Sequence, residues 1–259
     1  MKIAERIVII TGASAGIGAA TARTFAQAGA RVVLAARSRE PLERLATTLP
    51  GDPLVIPCDV GNPDQCRELI AQTQATCGRV DILINNAGVG LAGPVAELAT
   101  PDLARAFAVD LFGPVWLSQA VLPIMRRQGH GQIIMVSSVL AEQTLPYLGG
   151  YAAAKAALER MSEALRMELR GSGITVSVVR PGTTRTEFSR NRLGGGAEQR
   201  RLAPKGVPPE TVAATILRVA QRQQRTAYVT RGDRVGIMLA RAFPGLIERV
   251  LARAIGWGK

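Results

Sequence analysis

Seven short apolar runs rich in β-branched residues, at 7–11, 31–36, 54–58, 80–85, 132–137, 174–179 and 227–230, alternate along this chain with segments of helical character. That alternation is the strongest constraint on the fold. A strand lying parallel to its predecessor needs a right-handed crossover, which a helix supplies, so the pattern implies an α/β architecture with a parallel sheet covered on both faces. No internal repeat or low-complexity segment interrupts it. At 259 residues, 47% of them hydrophobic, the chain suits one α/β domain, 1–259, with a sizeable core. Ligands of such a sheet meet the carboxyl ends of its strands.

The first run leads into Thr11-Gly12-Ala13-Ser14-Ala15-Gly16-Ile17-Gly18. Glycines let the backbone turn tightly and approach a pyrophosphate, whose charge then faces the amino end of the helix that Ile17 begins. The spacing differs from the common G-x-G-x-x-G fingerprint, and a lone Gly-rich turn is weak evidence. A second stretch carries acid–base chemistry. Ser138 closes the fifth run, and Tyr151 and Lys155 follow on a long helix, four residues apart. On a helix that spacing is about one turn, roughly 6 Å along one face, so a phenol and an ammonium are neighbours. Free tyrosine ionises near pH ~10, and a nearby positive charge favours the phenolate, which can then exchange a proton with an alcohol or carbonyl oxygen. A Tyr and a Lys on an ordinary helix is the bland alternative.

Together these stretches resemble the short-chain dehydrogenase/reductase family from residue 7 to about 186, some two thirds of the chain. The shared motifs are Thr11-Gly12 with Gly16 and Gly18, Asn85-Asn86-Ala87-Gly88, Ser138 thirteen residues before Tyr151 with Lys155, and Pro181-Gly182. The resemblance implies a Rossmann-type, doubly wound sheet of seven parallel strands in the order 3-2-1-4-5-6-7. It also implies hydride transfer between a nicotinamide cofactor and a carbonyl or secondary alcohol. Tyr151 would move the proton, Lys155 would lower its pKa and hold the nicotinamide ribose, and Ser138 would bond the reacting oxygen. Gly12, Ser14, Gly16, Ile17 and Gly18 would cradle the phosphates. Asn86, Ala87 and Gly88 would admit the cofactor, and Pro181, Gly182, Thr184 and Thr186 would approach the carboxamide. Asp59 and Val60 resemble the adenine-contacting pair, although Asp59 can equally cap the turn through Gly61 and Asn62.

Two positions modulate this expectation. After the second run stand Ala36 and Arg37, where an NAD-preferring site presents an acidic residue to the ribose hydroxyls. Ala36 cannot repel a 2′-phosphate and Arg37 can bind one, with Ser14 and Arg39 assisting, so the pair favours NADP; a solvated arginine after a strand is the alternative. Asp110 stands where the family carries its fourth catalytic residue, an asparagine. A carboxylate there favours charged Lys155 and partly cancels the effect of that lysine on Tyr151. The substitution permits a second class of function, a regulator that binds NADP without turnover.

Residues 187–209, rich in Gly and Arg, look like a substrate lid. The tail, 233–259, departs from the Gly-rich end of 3-oxoacyl-carrier-protein reductases, which counts against that otherwise attractive alternative for a basic chain. In the tail Leu246, Ile247, Val250, Leu251, Ala254 and Ile255 share one helical face, with Arg249 and Arg253 opposite. Such a segment packs on its own domain, buries its face in a homo-oligomer (dimer or tetramer), or lies on an anionic membrane. An apolar substrate, such as a lipid, steroid or aromatic ketone, is the expectation that goes with it. The net charge of +12 favours acidic partners, but the arginines are scattered and only 4% of residues are aromatic, which argues against nucleic acid. Cys58, Cys66 and Cys77 lack metal-ligand spacing, so no metal site is expected. His130 falls outside every motif and reads as a loop residue. The charged start at 1–6 leads straight into a strand, with no secretory signal, so a cytoplasmic location is expected.

Overall fold

The computed structural model describes residues 2–189, 192–194 and 206–255, with Ser189 and 251–255 as backbone only. Its strands are β1 (Ile7–Thr11), β2 (Arg31–Ala36), β3 (Leu54–Pro57), β4 (Ile82–Asn85), β5 (Gly131–Val136), β6 (Ile174–Arg180) and β7 (Thr226–Tyr228). All pair in parallel, in the order β3-β2-β1-β4-β5-β6-β7. The helices are α1 (Gly16–Gln27), α2 (Arg39–Ala46), α3 (Pro63–Cys77), α4 (Thr100–Phe107), α5 (Gly113–Gln128), α6 (Gly149–Glu168), α7 (Pro209–Arg222), α8 (Arg231–Ala242) and α9 (Pro244–Ile255).

The period-two rule for strands sorts the core into two layers. Ile7 and Ile9 of β1, Val33 of β2, Leu83 of β4 and Ile133 of β5 join Leu69 of α3, Leu117 and Val121 of α5 and Leu158 of α6 on one face. Val8, Ile10, Leu34, Ile84 and Ile134 meet Phe25 of α1, Leu42 of α2 and Ile216 of α7 on the other. Both faces of the central strands are therefore apolar, as parallel sheets require. Each such side chain contributes about 1.5–3 kcal/mol when taken out of water.

Local chemistry sets the ends of the elements. Asn62 accepts from the amides of Asp64 and Gln65 at 2.9 and 3.2 Å and starts α3. Gly78 ends it at φ +71°, a conformation that favours glycine. A π-helical turn, Ala108–Phe112, joins α4 to α5. The whole stretch Thr100–Gln128 is long and apolar enough to cross a membrane, yet 56% of its most apolar window is buried within the fold. Beyond β7 the tail forms α8 and α9. Leu246 and Val250, expected to be covered, are 58% and 52% exposed in the isolated chain, while Ile247 is half-buried; the side chains of Leu251, Ala254 and Ile255 lie outside the described residues. Packing on its own domain therefore accounts for only part of that face.

At the amino-terminal edge of the sheet Asp81 is fully buried and ties three segments together. Its carboxylate accepts from the Ile7 amide at 2.9 Å, from Arg6 at 2.8 Å and from Arg79. His130 Nε2 lies 3.1 Å from it, at the edge opposite Ser138, so the histidine is structural. Burial pushes the Asp81 carboxyl up, but these donors outweigh it and hold the carboxyl below its ordinary range. A depressed carboxylate contributes stability above its unfolded pKa of ~3.9 and loses it as pH falls through the lower folded value. Asp81→Ala should therefore cost about 2–4 kcal/mol in urea unfolding at neutral pH. The difference from the parent should shrink in strong acid; a constant difference down to that range would contradict the assignment.

Candidate active site

The strand order reverses between β1 and β4, and the crevice this opens at the carboxyl ends of the strands is a cleft of about 1930 Å³. Gly12, Ser14, Gly16, Ile17 and Gly18 form its floor where β1 passes into α1. A Cβ on Gly18 would lie 2.0 Å from the carbonyl oxygen of Gly12, so only glycine permits this closeness. Helix α1 has no capping side chain and no acidic residue in its first turn. Its leading N–H groups and positive dipole end suit a pyrophosphate. Thr11 and Asn86 hold the turn in place: Thr11 Oγ1 accepts from the amides of Asn86 and Ala87 at 3.0 Å, and Asn86 Nδ2 donates to the Thr11 carbonyl at 2.8 Å. The Asn86 side chain thus braces the cradle.

At the rim, Arg37 is exposed beside Ala36 and lines the cleft with Ser14. Arg39, expected to assist, pairs instead with Glu43 at 3.4 Å along α2. The Asp59 carboxylate accepts from the Gly61 amide at 2.9 Å, the turn-capping alternative, and from Arg105 at 2.9 and 2.8 Å. Val60 stands beside it in the wall. Pro181, Gly182, Thr184 and Thr186 follow β6 along the far side, where Thr186 faces Gly16. Of the segment expected to form a lid, Phe188, Arg192 and Leu193 line the cleft, and isolated bridges pair Leu193 with Leu91 and Val207 with Thr184. Residues 190, 191 and 195–205 of the expected lid lie outside the described residues.

The structure brings Ser138, Tyr151, Lys155 and Asp110 together. Ser138 follows β5, its Oγ accepting from the Leu140 amide at 3.1 Å, and its hydroxyl is near enough to Tyr151 to lower the phenol's pKa. Tyr151 and Lys155 are buried one turn apart on α6, with the Lys155 Nζ 5.8 Å from the Tyr151 ring centre. Lys155 donates to the Val136 carbonyl at 3.3 Å and reaches Asp110 Oδ1 at 3.0 Å. Asp110 sits in the π-helical turn, fully buried, and also accepts from the Val89 amide at 3.3 Å. Its Oδ2 accepts no hydrogen bond from the described residues. Gly88 makes room for the pair, since a Cβ there would lie 2.8 Å from Asp110 Oδ1.

Electrostatics in this cluster oppose one another. Burial lowers the Lys155 pKa, but Asp110 and Tyr151 more than reverse this and keep the ammonium charged. Burial lifts the Asp110 carboxyl against the pull of Lys155. Burial also raises the Tyr151 phenol; Lys155 and the Ser138 hydroxyl lower it, Asp110 raises it, and the net direction is up. The expected pull of Lys155 is thus present and outweighed.

Comparison with known proteins gives the lineage. Residues 6–194 match the family described as short chain dehydrogenase. The chain belongs to that family. A "Dehydrogenase/reductase SDR family protein 7-like" of Drosophila melanogaster is 34% identical over 97% of this chain and 81% of its own length. "Dehydrogenase/reductase SDR family member 7B" of Danio rerio is 33% identical over 97% and 86%. Among solved structures, a short-chain dehydrogenase/reductase from Burkholderia phymatum in complex with NAD superposes with a TM-score of 0.86 at 25% identity, covering 95% of this chain and 96% of its own. The closed form of a serine dehydrogenase complexed with NADP+ gives 0.80 at 31% identity, covering 86% and 93%. The chain is therefore an oxidoreductase of the short-chain dehydrogenase family.

Several residues of this family member escaped sequence reasoning. Arg180, at the end of β6, is gripped by Glu159 of α6 at 2.9, 3.1 and 2.6 Å and by Glu142 at 2.8 Å. Glu142 also accepts from Tyr228 at 2.7 Å. Glu159 carried a signal, standing one turn beyond Lys155 on the same face, whereas Glu142 and Arg105 carried none. Tyr147, in the wall between Ser138 and Tyr151, has φ +67°, a strained conformation for a bulky residue.

Asp110→Asn removes the charge that raises the phenol. In alcohol oxidation, where phenolate is the active base, the acidic limb of the rate profile should therefore move to lower pH without loss of maximal rate. A collapse in rate across the profile would show that the protein uses the carboxylate itself.

Proposed function

We propose that this chain interconverts a carbonyl and a secondary alcohol by hydride transfer with NADP(H), acting on an apolar substrate. The observation that carries the reading is the buried cluster of Ser138, Tyr151 and Lys155 at the wall of a cleft whose floor suits a dinucleotide. When bound, the nicotinamide supplies or accepts the hydride. Tyr151 gives its phenolic proton to the carbonyl oxygen in reduction and takes it back in oxidation. Ser138 bonds the same oxygen and holds the phenol in line. Lys155 stabilises the phenolate that remains, and Asp110 keeps Lys155 charged through the 3.0 Å pair.

Three features support NADP over NAD: Ala36 cannot repel a 2′-phosphate, Arg37 stands exposed beside it, and Ser14 shares that rim. Leu91, Leu140, Leu148, Phe188, Leu193 and Ile237 support an apolar substrate, since they line the cleft. Asp110 is the one feature that favours the second reading, a regulator that binds NADP without turnover, because its charge offsets that of Lys155.

Turnover separates the two. With a panel of carbonyl compounds, NADPH oxidation should be observed, and Tyr151→Phe should lower it by at least ~10²-fold while leaving NADPH affinity unchanged, because only the proton donor is lost. A variant that keeps more than about a tenth of the parent rate would exclude Tyr151 as the acid. Arg37→Ala should weaken NADPH about tenfold or more, the loss of a charge-assisted contact of roughly 1.5–3 kcal/mol, with NADH nearly unaffected. Equal losses for both cofactors would remove the basis for NADP selection.

A further inference from the structure

Helices α8 and α9 present two apolar faces. Inwardly, Ile237, Ala240 and Ile247 line the cleft, and Asp233 turns in against Gly182. Outwardly, Val235, Met238 and Leu239 stand on one stripe of α8, at 54%, 59% and 49% exposure. Phe243, between the helices, and Leu246 and Val250 on α9 are exposed as well, at 57%, 58% and 52%. Six large apolar side chains on two consecutive helices form a patch of the kind that marks an interaction surface. Their charged neighbours have one dominant sign. Arg231, Arg234, Arg241 and Arg249 are exposed on the same two helices, against Glu248 as the exposed acid. Arg241 also reaches Glu142 at 3.4 Å and so ties α8 to the turn that follows Ser138.

We propose that the outer face of the α8–α9 hairpin docks on an anionic lipid bilayer. The apolar stripe enters the acyl boundary and the arginines meet the headgroups, the arrangement that holds interfacial helices. Charge decides between this occupant and a second copy of the chain. A two-fold interface would set the patch against itself, arginine rim to arginine rim, on molecules that each carry +12. An anionic surface is complementary to that rim. Docking also gives the inner face its use: a carbonyl compound dissolved in the membrane enters past Ile237 and Ile247 without crossing water. This consequence rests on the oxidoreductase reading, whereas docking itself does not depend on turnover.

The test is co-sedimentation of the full chain with phosphatidylcholine vesicles and with vesicles containing phosphatidylglycerol, at low and high salt. The chain should pellet with the anionic vesicles, less so in high salt, and remain in solution with the neutral ones. Met238→Glu combined with Leu246→Glu should lower partitioning roughly a hundredfold, with NADPH affinity and turnover of a water-soluble carbonyl unchanged, since neither side chain faces the cleft. Arg234→Glu with Arg249→Glu should abolish the preference for phosphatidylglycerol. A parent that stays in the supernatant with both vesicles, or an apolar-face variant that pellets as well as the parent, overturns the proposal. So does a parent dimer that the apolar-face variant splits without any change in vesicle binding, which would assign the patch to a second copy. Docking without turnover on any carbonyl would fault only the oxidoreductase reading.

Discussion

Helix α6 carries Tyr151, Lys155 and Glu159 on one face, all buried, and each charge among them is matched by a charge on a different segment. Lys155 meets Asp110 of the π-helical turn at 3.0 Å, and Glu159 meets Arg180 of β6 at 2.6 Å. Removing a carboxylate or an ammonium from water costs several kcal/mol even after relaxation, so neither ion could sit in this core alone. Paired, they fix α6 against β5 and β6 in one register, because sliding the helix by a turn would strand the charges. Breaking one partner would leave an uncompensated buried ion. Ala152 and Ala154, between Tyr151 and Lys155, are buried with them.

The same chain of charges carries position to the loops around the cleft. Arg180 immediately precedes Pro181 and Gly182, and through Glu142 it holds the turn that follows Ser138. The Val139 amide donates to the Pro181 carbonyl at 3.0 Å and closes the circuit. Ser138 and Tyr151 therefore owe their separation to a Glu–Arg–Glu triad as much as to the loop between them. That loop includes the strained backbone of Tyr147, whose carbonyl accepts from the Gly93 amide at 2.9 Å. Placement of a proton donor to within a fraction of an ångström needs such a second layer of support.

What could be read from the residues divides by range. The strands were legible because Ile7 to Thr11 and their counterparts are apolar on both faces, a purely local property. Their order came with the family motifs and agrees with the observed sheet. The cradle at Gly12, Gly16 and Gly18 was legible because glycine alone tolerates the approach seen at Gly18. Pairings across the sheet were not: Arg105 finds Asp59 across 46 residues and Arg180 finds Tyr228 across 48, with no sequence pattern to announce either. Asp59 shows the resulting ambiguity, since the same carboxylate caps its turn and binds an arginine. The tail misled for another reason. Helical periodicity identifies an apolar face but says nothing of what covers it, and within the chain Leu246 and Val250 are left in solvent.

Asp110 stands where the resemblance to the family implies an asparagine, and the departure has an internal logic. A neutral amide would leave the Lys155 ammonium without a full counter-charge at this position, whereas the carboxylate supplies one at 3.0 Å. The same carboxylate raises the Tyr151 phenol, as burial does. Ammonium and phenolate thus compete for one another with a third charge present, and the balance holds tyrosine in its protonated form over a wider range of pH. Protonated tyrosine is the form that donates to a carbonyl oxygen, and alcohol oxidation needs the phenolate. Under the proposed function, a phenol shifted in this direction favours the proton-donating form, the one that reduction of a carbonyl uses.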